Sequence, residues 1–167
     1  MPQLNKGGKF VFGLSIIGNQ NKIQIPEQAI LEYSITKDDN IIIFTGAKAT
    51  GGFCITSHAL LSNSKLKHIL DDCPALACCQ LQEGSFIRYK GRGYSWLTIS
   101  PSGVIQLPAQ TMKYLNLSVG DTLMSIRSSD IAFTMGAKGP LMEKIHSYTG
   151  TITEYRIIDK ENSYDQS

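Results

Sequence analysis

Apolar and polar positions alternate along this chain in short blocks, and one block pattern occurs twice. In residues 22–44, Ile23 and Ile25 alternate with Lys22 and Gln24, a period of two that buries one face of a strand. Pro26 then ends the strand, because it has no N–H for a ladder, and its fixed φ suits the first turn of a helix. Ile30, Leu31 and Ile35 follow at helical spacing over little more than two turns. Asp38, Asp39 and Asn40 supply turn chemistry before the apolar run Ile41, Ile42, Ile43 and Phe44. Residues 104–126 run through the same order, with Ile105, Leu107-Pro108, Met112, Leu117, Gly120-Asp121 and Leu123 at the matching places. The pattern predicts strand, short helix, turn and strand in each copy. A further hairpin strand is expected at residues 53–56 and at 131–135.

Sliding the chain by 82 residues lays 33 positions, 12–44, on 94–126 without a gap. Ile17, Ile23, Gln24, Pro26, Gln28 and Asp39 recur as Ile99, Ile105, Gln106, Pro108, Gln110 and Asp121. Pairs such as Ile25/Leu107, Ile30/Met112, Ile35/Leu117 and Ile41/Leu123 stay apolar. Few identities with a kept pattern read as an old duplication whose copies share one fold. Such a unit is too small to bury its own apolar face and leaves strand edges open. It has to pair with another copy, and this chain carries one.

These residues resemble the core motif of the AbrB/SpoVT-type swapped-hairpin regulators. The second copy supplies Gly103, Ile105, Leu107-Pro108, Leu115, Leu117 and Gly120-Asp121; the first supplies Lys22, Ile23, Ile25-Pro26, Ile35 and Asp39. The resemblance spans about a hundred of the 167 residues, in two blocks. It implies a mainly β chain with short helices (α+β), its two AbrB-like repeats pairing as a pseudo-twofold β-barrel. The expected parts are repeat 1 at 4–56, a helical connector at 57–83, repeat 2 at 84–136, and a C-terminal helix, strand and polar tail at 137–167. It also implies a non-enzymatic DNA-binding transcriptional regulator that assembles as a homo-oligomer.

Carried over by position, the family's basic residue four before the proline is Lys22 in copy one and Val104 in copy two. Its basic pair after the proline falls on Ile30-Leu31 and on Met112-Lys113, so Lys113 remains. Lys6 and Lys9 with Gly7 and Gly8, and Arg88, Lys90 and Arg92 with Gly91 and Gly93, form short basic stretches ahead of each repeat. Cationic loops with glycines let the backbone approach phosphates. Read plainly, they are also solvated lead-ins to strands. The candidate DNA contacts are therefore Lys6, Lys9, Lys22, Arg88, Lys90, Arg92 and Lys113. The alternative is an antitoxin-like protein-interaction or sensory module on the same fold, which the connector and the nearly neutral charge favour.

Composition changes this picture in only a few places. Lys and Arg total 16 against 14 Asp and Glu, so no strongly basic surface is implied. No apolar run approaches the ~18 residues of a membrane helix, and the polar start lacks a signal-peptide core. Cys54, Cys73, Cys78 and Cys79 are expected to be reduced thiols in a cytoplasm. Cys54, His58, Cys73 and Cys78 would come from separate elements and lack a Cys-x-x-Cys pair, so no metal or other cofactor is expected. Residues 45–52 end without the Lys-Ser/Thr of a phosphate loop and read as a hairpin loop about four residues longer than its counterpart. Ser57 and Ser64 are placed to cap connector helices, Pro74 to break one, and Gly139-Pro140 to open the last. No hydrolase elbow, zinc-protease, Walker or dinucleotide motif occurs, and His58, His68 and His146 have no fixed acidic partner in the sequence.

Overall fold

The chain, seen in a computed structural model that describes residue 3 and residues 10–145 and 147–157, is a mixed α+β protein with a sheet-rich core and a few short helices. The first repeat contributes β1 (Val11–Ile16), β2 (Lys22–Gln24), α1 (Glu27–Tyr33), β3 (Asn40–Thr45) and β4 (Phe53–Thr56). The connector holds α2 (His58–Ser62), α3 (His68–Asp72) and α4 (Pro74–Ala77). Strand β5 (Ile87–Tyr89) then leads into the second repeat: β6 (Arg92–Thr98), β7 (Val104–Gln106), α5 (Ala109–Leu115), β8 (Thr122–Arg127) and β9 (Phe133–Gly136). Helix α6 (Pro140–Ile145) and β10 (Glu154–Tyr155) complete the described chain.

Each repeat gives strands to the other. β1 pairs antiparallel with β8 and β6 with β3, so the eight-stranded sheet runs β10-β1-β8-β9-β4-β3-β6-β5. The two registers are images of one another: Ile16 faces Thr122, and Thr98, its counterpart 82 residues on, faces Asn40. At the centre, Phe53 faces Met135 while Phe133 faces Ile55. β2 and β7 form a separate two-stranded ribbon in which Ile23 lies across from Ile105. The sheet ends on β10 and β5, and among the described residues no closed barrel is seen.

The backbone bonds that join the repeats also come in pairs. Ile25 N donates to Gly103 O at 3.0 Å and Leu107 N to Asn21 O at 3.1 Å. Ile17 N donates to Asp121 O and Ile99 N to Asp39 O, both at 2.9 Å. The recurring glutamines serve the same seam: Gln24 Nε2 donates to Ser102 O at 2.9 Å and Gln106 Nε2 to Gln20 O at 3.0 Å. Asn21 and Gly103 occupy matching left-handed positions, φ 61° and 86°. At Gly103, φ 86°, a Cβ would fall 2.1 Å from the end of the Ile30 side chain, which would have to shift to make room. Both short helices follow their proline and end on a left-handed residue, Ser34 or Asn116.

Strand alternation sorts the apolar residues onto two faces. Ile41, Ile43, Phe53, Ile55, Leu97, Leu123, Phe133 and Met135 point into a core that both repeats fill, together with Ile23, Ile25, Ile105 and Leu107. The opposite face is covered too. The connector packs Leu61, Ile69, Leu70 and Leu76 on Ile42 and Tyr94, while Leu141, Met142 and Ile145 of α6 pack on Met124 and Ile126. As expected, Ser57 caps α2, its Oγ accepting from Leu60 N at 3.1 Å. Pro74 opens α4 and α6 begins at Pro140, whereas α3 starts at His68, later than Ser64 suggests. The loop before β4 exceeds that before β9 by two residues, not four, because β9 starts at Phe133. The β-like reading after residue 150 shrinks to the two residues of β10, which pair parallel with β1. The tail expected after it lies outside the described residues, as does His146.

Two predictions follow from this packing. Leu107 is 1% exposed and Leu31 is 70% exposed. Leu107→Ala should therefore cost about 2–4 kcal/mol in denaturant titration, and Leu31→Ala should change little. Tyr33 packs against Phe12 and Phe133 and its hydroxyl donates to Ser129 O at 2.7 Å. Burial, then the Glu32 carboxylate, pushes its pKa from 10.0 up to about 12, against an opposing pull from Arg127. Its contribution is complete below the ordinary tyrosine range and is lost as pH rises toward the folded value, because the unfolded chain gives up the proton first. Tyr33→Phe should flatten the fall in stability between pH 10.0 and about 12 relative to the parent, measured by melts across that window.

Candidate nucleic-acid interface

Arg88, Lys90 and Arg92 do not lie in a loop ahead of a strand. They belong to a hairpin, with β5 and β6 joined by the two-residue turn Lys90-Gly91. Both turn residues have positive φ, 48° and 84°, as the tightest hairpin turn requires. Tyr89-Lys90-Gly91-Arg92 carries that signal in the sequence, in the form of a glycine between residues of strand type. β5 is the edge of the sheet, and three cations at its tip also discourage further strand addition.

Alternation then divides the cations. Arg88 lies across from Gly93, on the face that looks toward α5, while Arg92 shares the other face with Tyr89 and Tyr94. Arg88, Lys90 and Arg92 are all exposed. Lys90 Nζ sits 5.4 Å from the centre of the Tyr89 ring, and the Arg92 guanidinium 5.7 Å from that of Phe44. On the Arg92 face Tyr89 donates its hydroxyl to the Asp72 carboxylate, a bond that raises its pKa to about 12 and ties the hairpin to α3. Burial pushes the Tyr94 hydroxyl up as well, with Arg92 acting the other way. The Asp72 carboxylate thus sits beside Tyr89, at the connector end of this face.

The α5 side is different. Tyr114 stacks on Phe86 with ring centres 4.0 Å apart, and its Oη would meet a Cβ placed on Gly93 at 2.6 Å. Gly93 therefore admits the tyrosine, and the last turn of α5 is held against the hairpin. Lys113 stands exposed in that turn, where a cation also suits the helix C-terminus. Arg88 thus lies on the side of the hairpin that the last turn of α5, with Lys113, packs against, while Lys90 sits in the turn with its Nζ over Tyr89. The Phe86–Tyr114 contact behind this packing is not evident from the sequence, although a glycine inside a strand is a recognised mark of close approach.

Lys22 stands apart from this group. It is half-buried on the β2–β7 ribbon opposite Gln106, in a groove that it shares with Glu83. Lys6 and Lys9 lie outside the described residues. The place in α1 that corresponds to Lys113 holds the exposed Leu31. The cysteines and histidine considered for zinc are dispersed: Cys54 lies beside Thr134, Cys73 is buried within the connector between α3 and α4, and His58 and Cys78 are exposed. Among the described residues no helix is long and apolar enough to cross a membrane. No family model matches the chain, and no curated protein matches it.

Proposed function

We propose that the chain is a non-enzymatic DNA-binding regulator of AbrB/SpoVT type, with both halves of a swapped-hairpin pair in one polypeptide related by a pseudo-twofold axis. The observation that carries this reading is the reciprocal register, in which β1 and β8 pair as β6 and β3 do. The axis would pass between Ile23 and Ile105 and again between Cys54 and Thr134. Arg88, Lys90 and Lys113 are the residues assigned to phosphate contact. They are exposed, Arg88 and Lys90 on the β5–β6 hairpin and Lys113 on the last turn of α5 that packs against it. Lys22, beside Glu83, contributes less.

A partner-protein module is the second reading. Leu31 supports it, since an exposed leucine takes the place of Lys113 on the other half. Salt dependence separates the two readings, because displaced counterions accompany each phosphate contact. The parent should bind mixed-sequence duplex DNA with an affinity that falls steeply between about 50 and about 200 mM salt. Replacing Arg88, Lys90 and Lys113 by alanine should lower the log–log slope by about 0.9 for each contact removed. Arg92→Ala should leave the slope close to that of the parent. A salt-independent parent would overturn the DNA reading in favour of the protein partner.

The pairing itself has a separate test. A fragment of residues 84–149 lacks the β1 and β3 that β8 and β6 pair with. It should form a dimer in which β6 of each copy takes β8 of the other, seen by light scattering. A stable folded monomer would overturn the swapped arrangement.

A further inference from the structure

The two covers of the sheet's outer face leave a cleft at its centre. β4 and β9 point Phe53, Ile55, Phe133 and Met135 into the core, so Cys54 and Thr134 face outward, their Sγ and Oγ1 3.5 Å apart. The connector covers this face on one side and α6 on the other. Between them lies an open cleft of about 560 Å³, within the usual range for small-molecule sites. Cys54 and Thr134 lie at its floor. Leu61, Leu66 and Ile69 of the connector line it together with Ile131, which packs on the same cluster, and Leu141 of α6 lines it too. Leu66, 41% exposed, presents apolar surface to the cleft.

The charge of the cleft is one-sided. Among the described residues that line it, Arg92 is the charged one, and no carboxylate lines it. Phe44 supports the guanidinium from one side. Neither of the ion pairs found among the described residues involves it. A planar guanidinium suits the two oxygens of a carboxylate. Hydroxyls of Thr50, Tyr94, Ser128, Ser129 and Thr134 also line the cleft, but its lone guanidinium matches the single charge of a carboxylate, whereas a phosphate carries about two.

We propose that this cleft binds a small apolar carboxylic acid, its chain or ring lying against Leu61, Leu66, Ile69 and Ile131 and its carboxylate on Arg92. The site is built from the connector and the tip of β6, and it uses none of Arg88, Lys90 or Lys113. A ligand there would touch both repeats and the connector at once.

Decanoate and decanol, which share a chain and differ in charge, are suitable probes for the full-length protein in calorimetric titration. The parent should bind decanoate at least about tenfold more tightly than decanol, the value of a charge-assisted contact. Arg92→Gln should remove that preference and leave decanol binding in place. Thr134→Phe should fill the floor and abolish both, with a melt to check the fold. If that variant does not fold, Ala47→Phe on the exposed rim should block the cleft in its place. No decanoate binding at millimolar concentration, or an undiminished preference in Arg92→Gln, would overturn the proposal. The DNA salt slope of Arg92→Gln should equal that of the parent, so either proposal can fail without the other.

Discussion

The rest of the structure depends on backbone hydrogen bonds that neither repeat makes alone. A strand edge in water is a row of unpaired donors and acceptors, and a short strand–helix–strand unit has more edge than interior. Here β1 is completed by β8 and β6 by β3, while β2 and β7 close on each other. Side chains sharpen the same seam: Gln24 and Gln106 each reach across to a carbonyl of the other repeat. Ile23, Ile25, Ile105 and Leu107 are then enclosed from both sides at 1% exposure or less. A long-range ladder of this kind couples the halves, so a loss on one side is felt on the other.

A sheet shared in this way has two faces, and the repeats fill only one. Ile42, Phe44, Tyr94 and Trp96 on one half, and Val11, Met124 and Ile126 on the other, would meet water without the segments that fall outside the duplication. The connector and α6 therefore have a plain physical task before any functional one. Trp96 shows the fit, with its ring against the connector and its Nε1 donating to Leu81 O at 2.8 Å. The covers differ in size, and residues of both line the cleft at the centre of that face. The core is filled from both repeats, and the covers come from segments outside them.

The cations follow from the same geometry. On a hairpin, neighbouring residues point to opposite faces, so a run of basic residues in sequence is divided in space. Arg92 goes with the connector and Phe44, and Arg88 goes with α5. The stack of Phe86 on Tyr114 holds the last turn of α5, which carries Lys113, against that second face. A chain with nearly balanced charge can still present a local positive surface in this manner.

The sequence by itself determined the repeat, its elements and its corners. Period-two alternation around Ile23 and Ile105 marks strands, Pro26 and Pro108 mark where they end, and Ser57 marks the start of α2, because each is a local matter of sterics and hydrogen bonding. The need for a partner repeat was legible as well, since the apolar face exceeds what one copy can bury. Tertiary structure alone decided that the sheet stays open, that Arg88 through Arg92 form an edge hairpin, and that Gly93 admits Tyr114. Those outcomes rest on contacts between residues distant in the chain. Gly93 and Tyr114 are 21 positions apart, and Cys54 and Thr134 are 80 apart, with no local pattern linking either pair. Local chemistry sets what each segment can be; the closing of strands across the two repeats sets which side chains meet.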